Sequence, residues 1–504
     1  MVRNCPDTVE PNVRIVWGMR MTVVGTGYLG ATHAACMAEL GHDVLGVDTD
    51  PTKVERLNAG KSPFYEPGLK KLLKRGVSAG KLRFSTDPAE AAEFANTHFL
   101  CVGTPQQAGG AGADLSQIYA VVDALAPLLS GDHVLLGKST VPVGTTPVLQ
   151  ERMDRLIHGA AAQAAAKKTG SKKGSKAKKD SAPAASCTVA WNPEFLREST
   201  AVDDTLHPDR IVVGARDEDR EEIEKLVREI YAEPLAEGSP LMMMDPATAE
   251  LVKTSANSFL ATKISFINAV ADLCDASGGD VTALAAALGA DRRIGKSFLH
   301  AGLGFGGGCL PKDVRAFMTT AEELGATGAS GLLSQVDAIN NSRRDKVEHM
   351  AHEVFGGDVT GRSITVLGAA FKPRSDDVRE APGVDIAMRL YQAGAHVRIY
   401  DPKAKKTARL AAPELQHAPT LPEALQGAEL VIVATEWPKF RRLKPAEALD
   451  AVQAGPAPGA GVAPEEKKKK KAPTVIDGRN CLDQQSWEDA GWRVLALGRS
   501  RTLA

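Results

Sequence analysis

The decapeptide GFGGGCLPKD, Gly304 to Asp313, sets a cysteine behind three consecutive glycines and just ahead of a lysine and an aspartate, a composition unsuited to a packed core. If a helical turn follows Cys309, Asp313 lies on the same face four residues on. Two other pairs at that spacing carry groups that work with a thiol. In 192-NPEFLRE-198, Glu194 and Glu198 share a face if the chain after Pro193 is helical, and in 250-ELVKTSAN-257 Lys253 and Asn257 share one. Taken singly, these read as well as exposed carboxylates, a solvated lysine beside a helix-surface amide, and a loop thiol next to a capping acid. Taken together they supply one chemistry. Gly306, Gly307 and Gly308 leave backbone room for a substrate at Cys309, and Lys312 would favour its thiolate. A thiolate adds to an aldehyde to give a hemithioacetal, hydride can leave from that, and water hydrolyses the resulting thioester. Such a sequence needs a carboxylate to direct water, and an ammonium with an amide to stabilise negative charge developing on oxygen.

Hydride needs an acceptor, and the chain provides a place for one. Gly25, Gly27 and Gly30 form G-x-G-x-x-G in 21-MTVVGTGYLGATHAACMAELGHDVLGVDTD-50. The first glycine permits a tight turn, the second lets the backbone approach a pyrophosphate, and the third lets helix and strand pack closely. Asp48, ending the second apolar run, can accept hydrogen bonds from ribose hydroxyls and would repel a 2′-phosphate, so NAD is expected rather than NADP.

These groups must be held by an α/β scaffold. The stretch around the glycines is a β-α-β unit, and short apolar runs follow at His98 to Val102, His133 to Lys138, Thr188 to Trp191 and Arg210 to Val213, interleaved with helical stretches such as Leu115 to Leu129. That alternation predicts a parallel, doubly wound sheet over 19–240. From Pro246 to about Leu288 strand punctuation disappears, and Leu251, Phe259, Ile264, Ile267, Val270 and Leu273 recur at helical intervals. Such a long helix bridges domains or pairs with a second subunit. Alternation resumes with 363-SITVLGAAF-371, a helix around Asp385 to Ala393, 396-HVRIYDP-402, 429-ELVIVAT-435 and 474-TVID-477. The fold class expected is therefore two Rossmann-like doubly wound domains joined by a long central helix: 19–240, a central helical region with the cysteine loop over 241–350, and 351–504. The first turn of the last region, LGAAFK, lacks the three glycines, so a nucleotide there is held differently. Met19 directly precedes the first strand, and residues 1–18 read as an extension.

Bulk properties narrow the classes. A 504-residue chain with 43% apolar residues suits two or three globular domains. No apolar run approaches the roughly 18 residues a membrane span needs, and the charged, proline-containing start is unlike a secretion signal, so a cytoplasmic protein without membrane contact is expected. The seven cysteines lie far apart, with no C-x-x-C pair and no histidines at ligand spacing, so reduced thiols and no metal are expected. The net charge of −1 hides two lysine runs, 167-KKTGSKKGSKAKKD-180 and 465-EEKKKKKAP-473; taking away their +6 and +3 leaves the remainder at about −10. An acidic body argues against nucleic acid as a partner. The runs lie in insertions at 158–186 and 455–473, read as disordered surface segments. Neither removes a motif residue, and long surface loops cost little closure entropy, so activity should survive both.

With these motifs in order, the chain resembles the nucleotide-sugar 6-dehydrogenases over roughly residues 19–482. The resemblance is carried by VVGTGYLG, SPFYEPGL, CVGTP, GADLS, KSTVPVGT, NPEFLRE, AELVKTSANSFLATKISFIN, DRRIG, GFGGGCLPKD, GAAFKPRSDDVRE and DGRN. It implies an NAD domain, a central helix that forms a homodimer or higher homo-oligomer, a C-terminal domain for the UDP moiety, and a four-electron oxidation of a sugar C6 alcohol to a carboxylate. It implies Cys309 as nucleophile with Asp313 in its acid–base network, Lys253 and Asn257 as oxyanion stabilisers holding a water, Glu194 as base for thioester hydrolysis, and Thr140 in the water network. Cofactor contacts are implied at Gly25, Gly27, Tyr28, Leu29, Gly30, Asp48, Lys53, Thr104 and Glu198. Substrate contacts are implied at Phe195, Leu196, Lys253, Asn257, Phe305, Gly306, Gly307, Lys372 and Arg479, with Arg293 reaching in from a neighbouring subunit. The acceptor of the first proton stays open between Lys253 and a water held by Asp313. KTSANSFLATKISFIN and DRRIG favour UDP-glucose as substrate; GDP-mannose or a UDP-N-acetylhexosamine, or a catalytically silent nucleotide-sugar or NAD sensor, are the alternatives.

Overall fold

The computed structural model describes residues 18–169, 185–455 and 472–499. Residues 1–17, 170–184, 456–471 and 500–504, and with them most of both lysine runs, lie outside them. Two sheets organise the chain. The first joins β1 (Arg20–Val24), β2 (Asp43–Val47), β3 (Leu82–Ser85), β4 (Thr97–Leu100), β5 (Asp132–Gly137), β6 (Ser186–Trp191), β7 (Ile211–Gly214) and β8 (Leu241–Met244) in the order β3-β2-β1-β4-β5-β6-β7-β8. Every pairing is parallel except β6 with β7, which meet antiparallel at Trp191 and Gly214. The second holds β9 (Ser363–Leu367), β10 (His396–Tyr400), β11 (Gln416–His417), β12 (Leu430–Val433), β13 (Thr474–Asp477) and β14 (Arg493–Ala496), all parallel, in the order β11-β10-β9-β12-β13-β14. Both orders reverse next to the first strand of the sheet, where the carboxyl ends of the strands open a crevice for a ligand. The fold is thus the doubly wound α/β pair expected. β3, β8, β11 and β14 were not anticipated; they are short and lie towards or at the sheet edges, where little burial writes a pattern.

The central helix runs Pro246–Ser277. Asp245 caps it by accepting from Thr248 N at 2.9 Å, and Gly278, at φ +79°, ends it in the left-handed conformation that glycine adopts without penalty. The helical stretch therefore stops eleven residues short of the expected end, and Asp280 caps a separate helix, Val281–Ala290. The central helix packs on two later helices, Leu310–Glu323 and Thr327–Val354, with Ala261, Phe305, Val314, Leu333 and Val336 as their shared core. A second difference concerns the first insertion. The helix Thr145–Thr169 carries the chain through residues assigned to a disordered segment from 158, as the alanine-rich HGAAAQAAA favours.

Candidate active site

The glycine turn after β1 divides its tasks as the spacing suggests. Gly25 has φ +89° and donates to Val47 O at 2.8 Å, while a Cβ on Gly30 would lie 1.8 Å from Gly25 O. A Cβ on Gly27 would meet nothing within 4 Å, so that position faces open space at the start of the Tyr28–Glu39 helix, where anions bind. Asp48 follows β2 and accepts from Thr26 N at 2.8 Å, Thr26 Oγ1 at 2.9 Å and Lys53 Nζ at 2.8 Å. Burial pulls its carboxyl up, but Lys53 and these donors hold it below the usual range, so it is an ionised acceptor. Open backbone at Gly27 and a charged acid at the strand end fit an NAD. The equivalent acid of the second sheet, Asp401 after β10, is buried and accepts from the backbone of Ala369, Ala370, Lys403 and Ala404 and from Trp437 Nε1. It has no acceptor free for a ribose, which explains why LGAAFK must treat a nucleotide differently.

The other residues expected to touch the cofactor are arranged around this turn. Thr104 Oγ1 donates to Thr140 O at 2.8 Å, joining the loops after β4 and β5. Leu29 packs against the core beneath the turn. The Tyr28 hydroxyl donates to buried Glu66, which also accepts from Ser199 N at 2.8 Å and Ala201 N at 2.9 Å. Tyr28 thereby links the turn to the loop bearing Glu198.

The cysteine sits at the N-cap of the Leu310–Glu323 helix, and Asp313 N donates to Cys309 O at 2.8 Å, so the helical turn needed to bring the two together is present. Asp313 is buried and accepts from Asn257 Nδ2 at 2.6 Å and Lys312 Nζ at 2.6 Å. Lys253, one helical turn before Asn257 and also buried, pairs with Glu194 at 2.9 Å. Burial pulls its ammonium down, yet Glu194, Asp313 and Cys309 outweigh this and raise it. Cys309, Asp313, Asn257, Lys253 and Glu194 thus form one cluster from three parts of the chain.

Several expectations are corrected by this geometry. Residues 192–198 are not helical, and the two glutamates part company: Glu194 joins Lys253, while Glu198 accepts from Ser375 Oγ at 3.0 Å and stands 3.6 Å from Arg379. Lys312 neutralises Asp313 and does not favour a thiolate. Cys309 is open to solvent but deep enough among protein atoms that desolvation, then the charges of Asp313, Glu194 and Glu198, push its thiol up to about 12 against the pull of Lys253. The glycines do not leave room either. A Cβ on Gly304 would lie 2.3 Å from Asn340 Oδ1, on Gly306 2.2 Å from Glu380 O, on Gly307 2.9 Å from the Phe371 ring and on Gly308 2.2 Å from the Arg379 guanidinium. Gly306, Gly307 and Gly308 serve close packing of the 371–380 segment onto the cysteine loop, and Gly304 that of Asn340.

The expected substrate residues divide in two. Phe195 lies under Arg210 at 3.8 Å and near Lys253 at 5.8 Å, with Leu196 N donating to Glu194. Lys372, its ammonium lowered by burial against the pull of Glu198 and Cys309, lies 5.3 Å from the Phe371 ring. Phe305, however, has both backbone groups taken by Asn340, at 2.7 and 3.1 Å. Gly307 N donates to Arg379 O at 2.9 Å. Arg479 spends its guanidinium on Ala434 O at 2.7 Å, Gly304 O at 3.0 Å and Phe371 O at 3.4 Å, binding the cysteine loop to the second sheet. Arg293 is exposed and paired with Asp291, so this chain does not bring it to its own cluster. Sequence reasoning gave no role to Arg379, Ser375, Glu66 or Asn340. Arg379 and Ser375 lie within the motif GAAFKPRSDDVRE and Glu66 within SPFYEPGL, so three of the four stood in stretches that carried the resemblance; Asn340 lies in none of them. Among the described residues no group of three or more His, Cys, Asp or Glu is placed to hold a metal ion.

Comparison with known proteins covers the same ground. The profile of the UDP-glucose/GDP-mannose dehydrogenase family matches in three parts: its NAD binding domain over residues 19–235, its central domain over 247–342 and its UDP binding domain over 365–457. The chain is 36% identical over 481 residues to the UDP-glucose 6-dehydrogenase of Rhizobium meliloti (strain 1021), covering 95% of this chain and 100% of that one. It is 35% identical over 487 residues to UDP-glucose 6-dehydrogenase YwqF of Bacillus subtilis (strain 168), covering 96% and 99%. Among solved structures, a UDP-glucose dehydrogenase from the hyperthermophilic archaeon Pyrobaculum islandicum matches with a TM-score of 0.78 at 34% identity, over 96% of this chain and 99% of that one.

Proposed function

From the premise that the chain belongs to the UDP-glucose/GDP-mannose dehydrogenase family of NAD-dependent oxidoreductases, we propose that it oxidises UDP-glucose by four electrons to UDP-glucuronate, with a thioester on Cys309. Residues 19–240 hold NAD through Gly25, Gly27, Gly30, Asp48 and the loops of Thr104 and Thr140; 241–350 carry the reacting groups; 351–504 hold the uridine diphosphate. NAD, when bound, supplies the acceptor for the hydride of each of two oxidations.

In the first oxidation the C6 hydroxyl loses its proton. Lys253 keeps its ammonium charged beside Glu194, which suits it to stabilise an oxyanion better than to take that proton. The acceptor is then a water held by Asn257 and Asp313. The Cys309 thiol adds to the aldehyde carbon, giving up its own proton as the C–S bond forms, and Lys253 and Asn257 offset the charge on oxygen. Loss of the second hydride leaves the thioester. Water attacks it with Glu194 taking a proton, the C–S bond breaks, sulfur is reprotonated, and the carboxylate leaves. The balance per sugar is one water consumed, two hydrides passed on and three protons released.

The observation that carries this reading is the convergence of Lys253–Glu194 and Asn257–Asp313 on the cysteine helix. The test is the number of NADH formed per UDP-glucose, beside Cys309→Ser. Two per sugar, and a variant that stalls before the second oxidation is completed, are expected. One NADH with free aldehyde released defeats the role of Cys309, and turnover only of GDP-mannose or a UDP-N-acetylhexosamine defeats the substrate. The chain also reads as a homodimer or higher homo-oligomer working in the cytoplasm. Exposed Phe259, Phe266 and Leu273, seven residues apart on the central helix, support the first. Among the described residues no helix is long and apolar enough to cross a membrane.

A further inference from the structure

Two residues before Glu194 the chain is gripped by a buried lysine whose partners are all neutral. Lys138, directly after β5, donates to Asn192 Oδ1 at 2.9 Å, Asn192 O at 3.3 Å and Tyr231 OH at 3.2 Å, and faces the rings of Phe99 and Tyr231 at 5.6 and 5.8 Å. Those three acceptors match the three N–H groups of an ammonium. Tyr231 OH in turn donates to Asn192 Oδ1 at 2.8 Å, Asn192 Nδ2 donates to Val212 O at 2.8 Å, and Asn192 N to Gly137 O at 2.7 Å. Lys138, Asn192 and Tyr231 are 6%, 2% and 4% exposed. Burying an ammonium without a carboxylate costs several kcal/mol, which an uncharged side chain of the same length would avoid if packing were the only need.

The neighbourhood shows what else is needed. The segment from Pro193 to Leu196 is neither helix nor strand, and it borders a cavity also lined by Lys138, Asn192 and Tyr231. On the cavity side its side-chain packing includes Phe195, whose ring lies 3.8 Å from the Arg210 guanidinium. The approach of Glu194 to the cluster is held at two points, Asn192 in the Lys138 node and the Glu194 carboxylate on Lys253 at 2.9 Å. We propose that Lys138 is a positioning residue for the hydrolytic half of the reaction: by saturating Asn192 and Tyr231 it sets the start of this segment so that Glu194 stays beside Lys253, where it can direct water at the ester on Cys309. This rests on the reading of Glu194 as the hydrolytic base.

The charge state of Lys138 matters because a neutral amine loses one of the three donors. Its ionisable neighbours are His33 from the Tyr28–Glu39 helix, Cys101 after β4, Glu194 and Tyr231. Burial lowers the ammonium to about 8 against the pull of Cys101 and Glu194. Hydrolysis should therefore slow as pH rises through that value.

The experiment follows one turnover of UDP-glucose with NAD, reading NADH by absorbance and the Cys309 ester by intact mass after acid quench, for wild type, Lys138→Met, Lys138→Arg and Glu194→Gln. Lys138→Met is expected to make its first NADH within about threefold of the wild-type rate while steady-state turnover falls at least tenfold and the ester accumulates. Lys138→Arg, for which the adjoining cavity leaves space, should recover turnover to within about threefold and move the alkaline fall up by at least one pH unit. If Lys138→Met does not fold, Tyr231→Phe keeps the ring and removes one acceptor, and ester accumulation of three- to tenfold is expected there. An ester that accumulates in Glu194→Gln but in neither Lys138→Met nor Tyr231→Phe overturns the positioning role alone. Equal loss of both half-reactions also overturns it, marking Lys138 as a packing element. An ester absent from Glu194→Gln overturns the reading of the base, and this proposal with it.

Discussion

At the scale of single residues, two protons, one in the cluster and one beside it, are held away from their ordinary positions. Because the Cys309 thiol is pushed up to about 12 by desolvation and three acids, it is protonated at neutral pH in the free protein. Alkylation of Cys309 by iodoacetamide should then rise about tenfold per pH unit from pH 7 to 9 without levelling, since only the thiolate reacts. A plateau by pH 8 would mean that the ammonium groups prevail. Glu198 departs in the other direction from its partner Asp377. Burial and the charge of Asp377 raise it from 4.5 to about 7, with Ser375, Arg379 and Lys372 pulling back, while Asp377 is lowered by Arg379. The folded chain binds that proton more tightly than the unfolded one, so the contribution of Glu198 to stability is greatest below about 4.5 and declines as pH rises to about 7. Glu198→Gln should raise Tm by a few degrees at pH 8 and leave it unchanged at pH 4.5. A shift of the same size at both values would remove ionisation as the cause.

Among elements, the Pro246–Ser277 helix does more than carry Lys253 and Asn257. One turn before Lys253, buried Glu250 accepts from Gly144 N at 2.6 Å and from Thr146 N and Oγ1 at 2.7 and 2.6 Å. It caps the Thr145–Thr169 helix from outside and sets the Thr140 loop in register with Lys253 and Asn257. Glu250→Ala leaves buried donors unmet, and a loss of roughly 2–4 kcal/mol is expected in the unfolding of this domain, read from urea titration. This level also explains what the sequence could and could not say. Cys309 with Asp313, and Lys253 with Asn257, were legible because a helix writes its faces into spacing of three and four residues. The course of 192–198 was not, because Glu194 is directed by a lysine on the central helix and Glu198 by Ser375, 177 residues away. The glycines before Cys309 misled for a related reason. Composition reveals that a backbone must be approached, but the approaching atoms belong to a segment some seventy residues later.

For the molecule as a whole, the cysteine loop belongs mechanically to the second sheet. Besides the Arg479 guanidinium, Leu303 N donates to Gly478 O at 3.0 Å and Asn480 Nδ2 to Ala301 O at 3.2 Å. Asp477, fully buried at the end of β13, accepts from Arg479 N, Cys481 N and Leu482 N, so the presentation of Arg479 is set locally, whatever the length of chain that precedes β13. On the outside, Phe259, Phe266 and Leu273 are 66%, 54% and 68% exposed. Phe266→Glu is expected to lower the mass measured by sedimentation to that of one chain; an unchanged oligomer would move the contact elsewhere.

The seam between loop and sheet has a consequence for inheritance. Every missense change reachable from a glycine codon by one base introduces a Cβ, and at Gly304, Gly306, Gly307 and Gly308 another part of the protein already stands within 2.9 Å of where that atom would go. At Gly304, Gly306 and Gly307 a Cβ meets backbone, a packed ring or a positive φ and is strained, whereas at Gly308 it meets the tip of the exposed Arg379 side chain, which can swing aside. The easier route to altered surroundings of the thiol runs through the side chains pressed against the loop, Asn340, Phe371 and Arg379, which can be shortened without a clash, while the Glu380 carbonyl against Gly306 stays whatever side chain stands there.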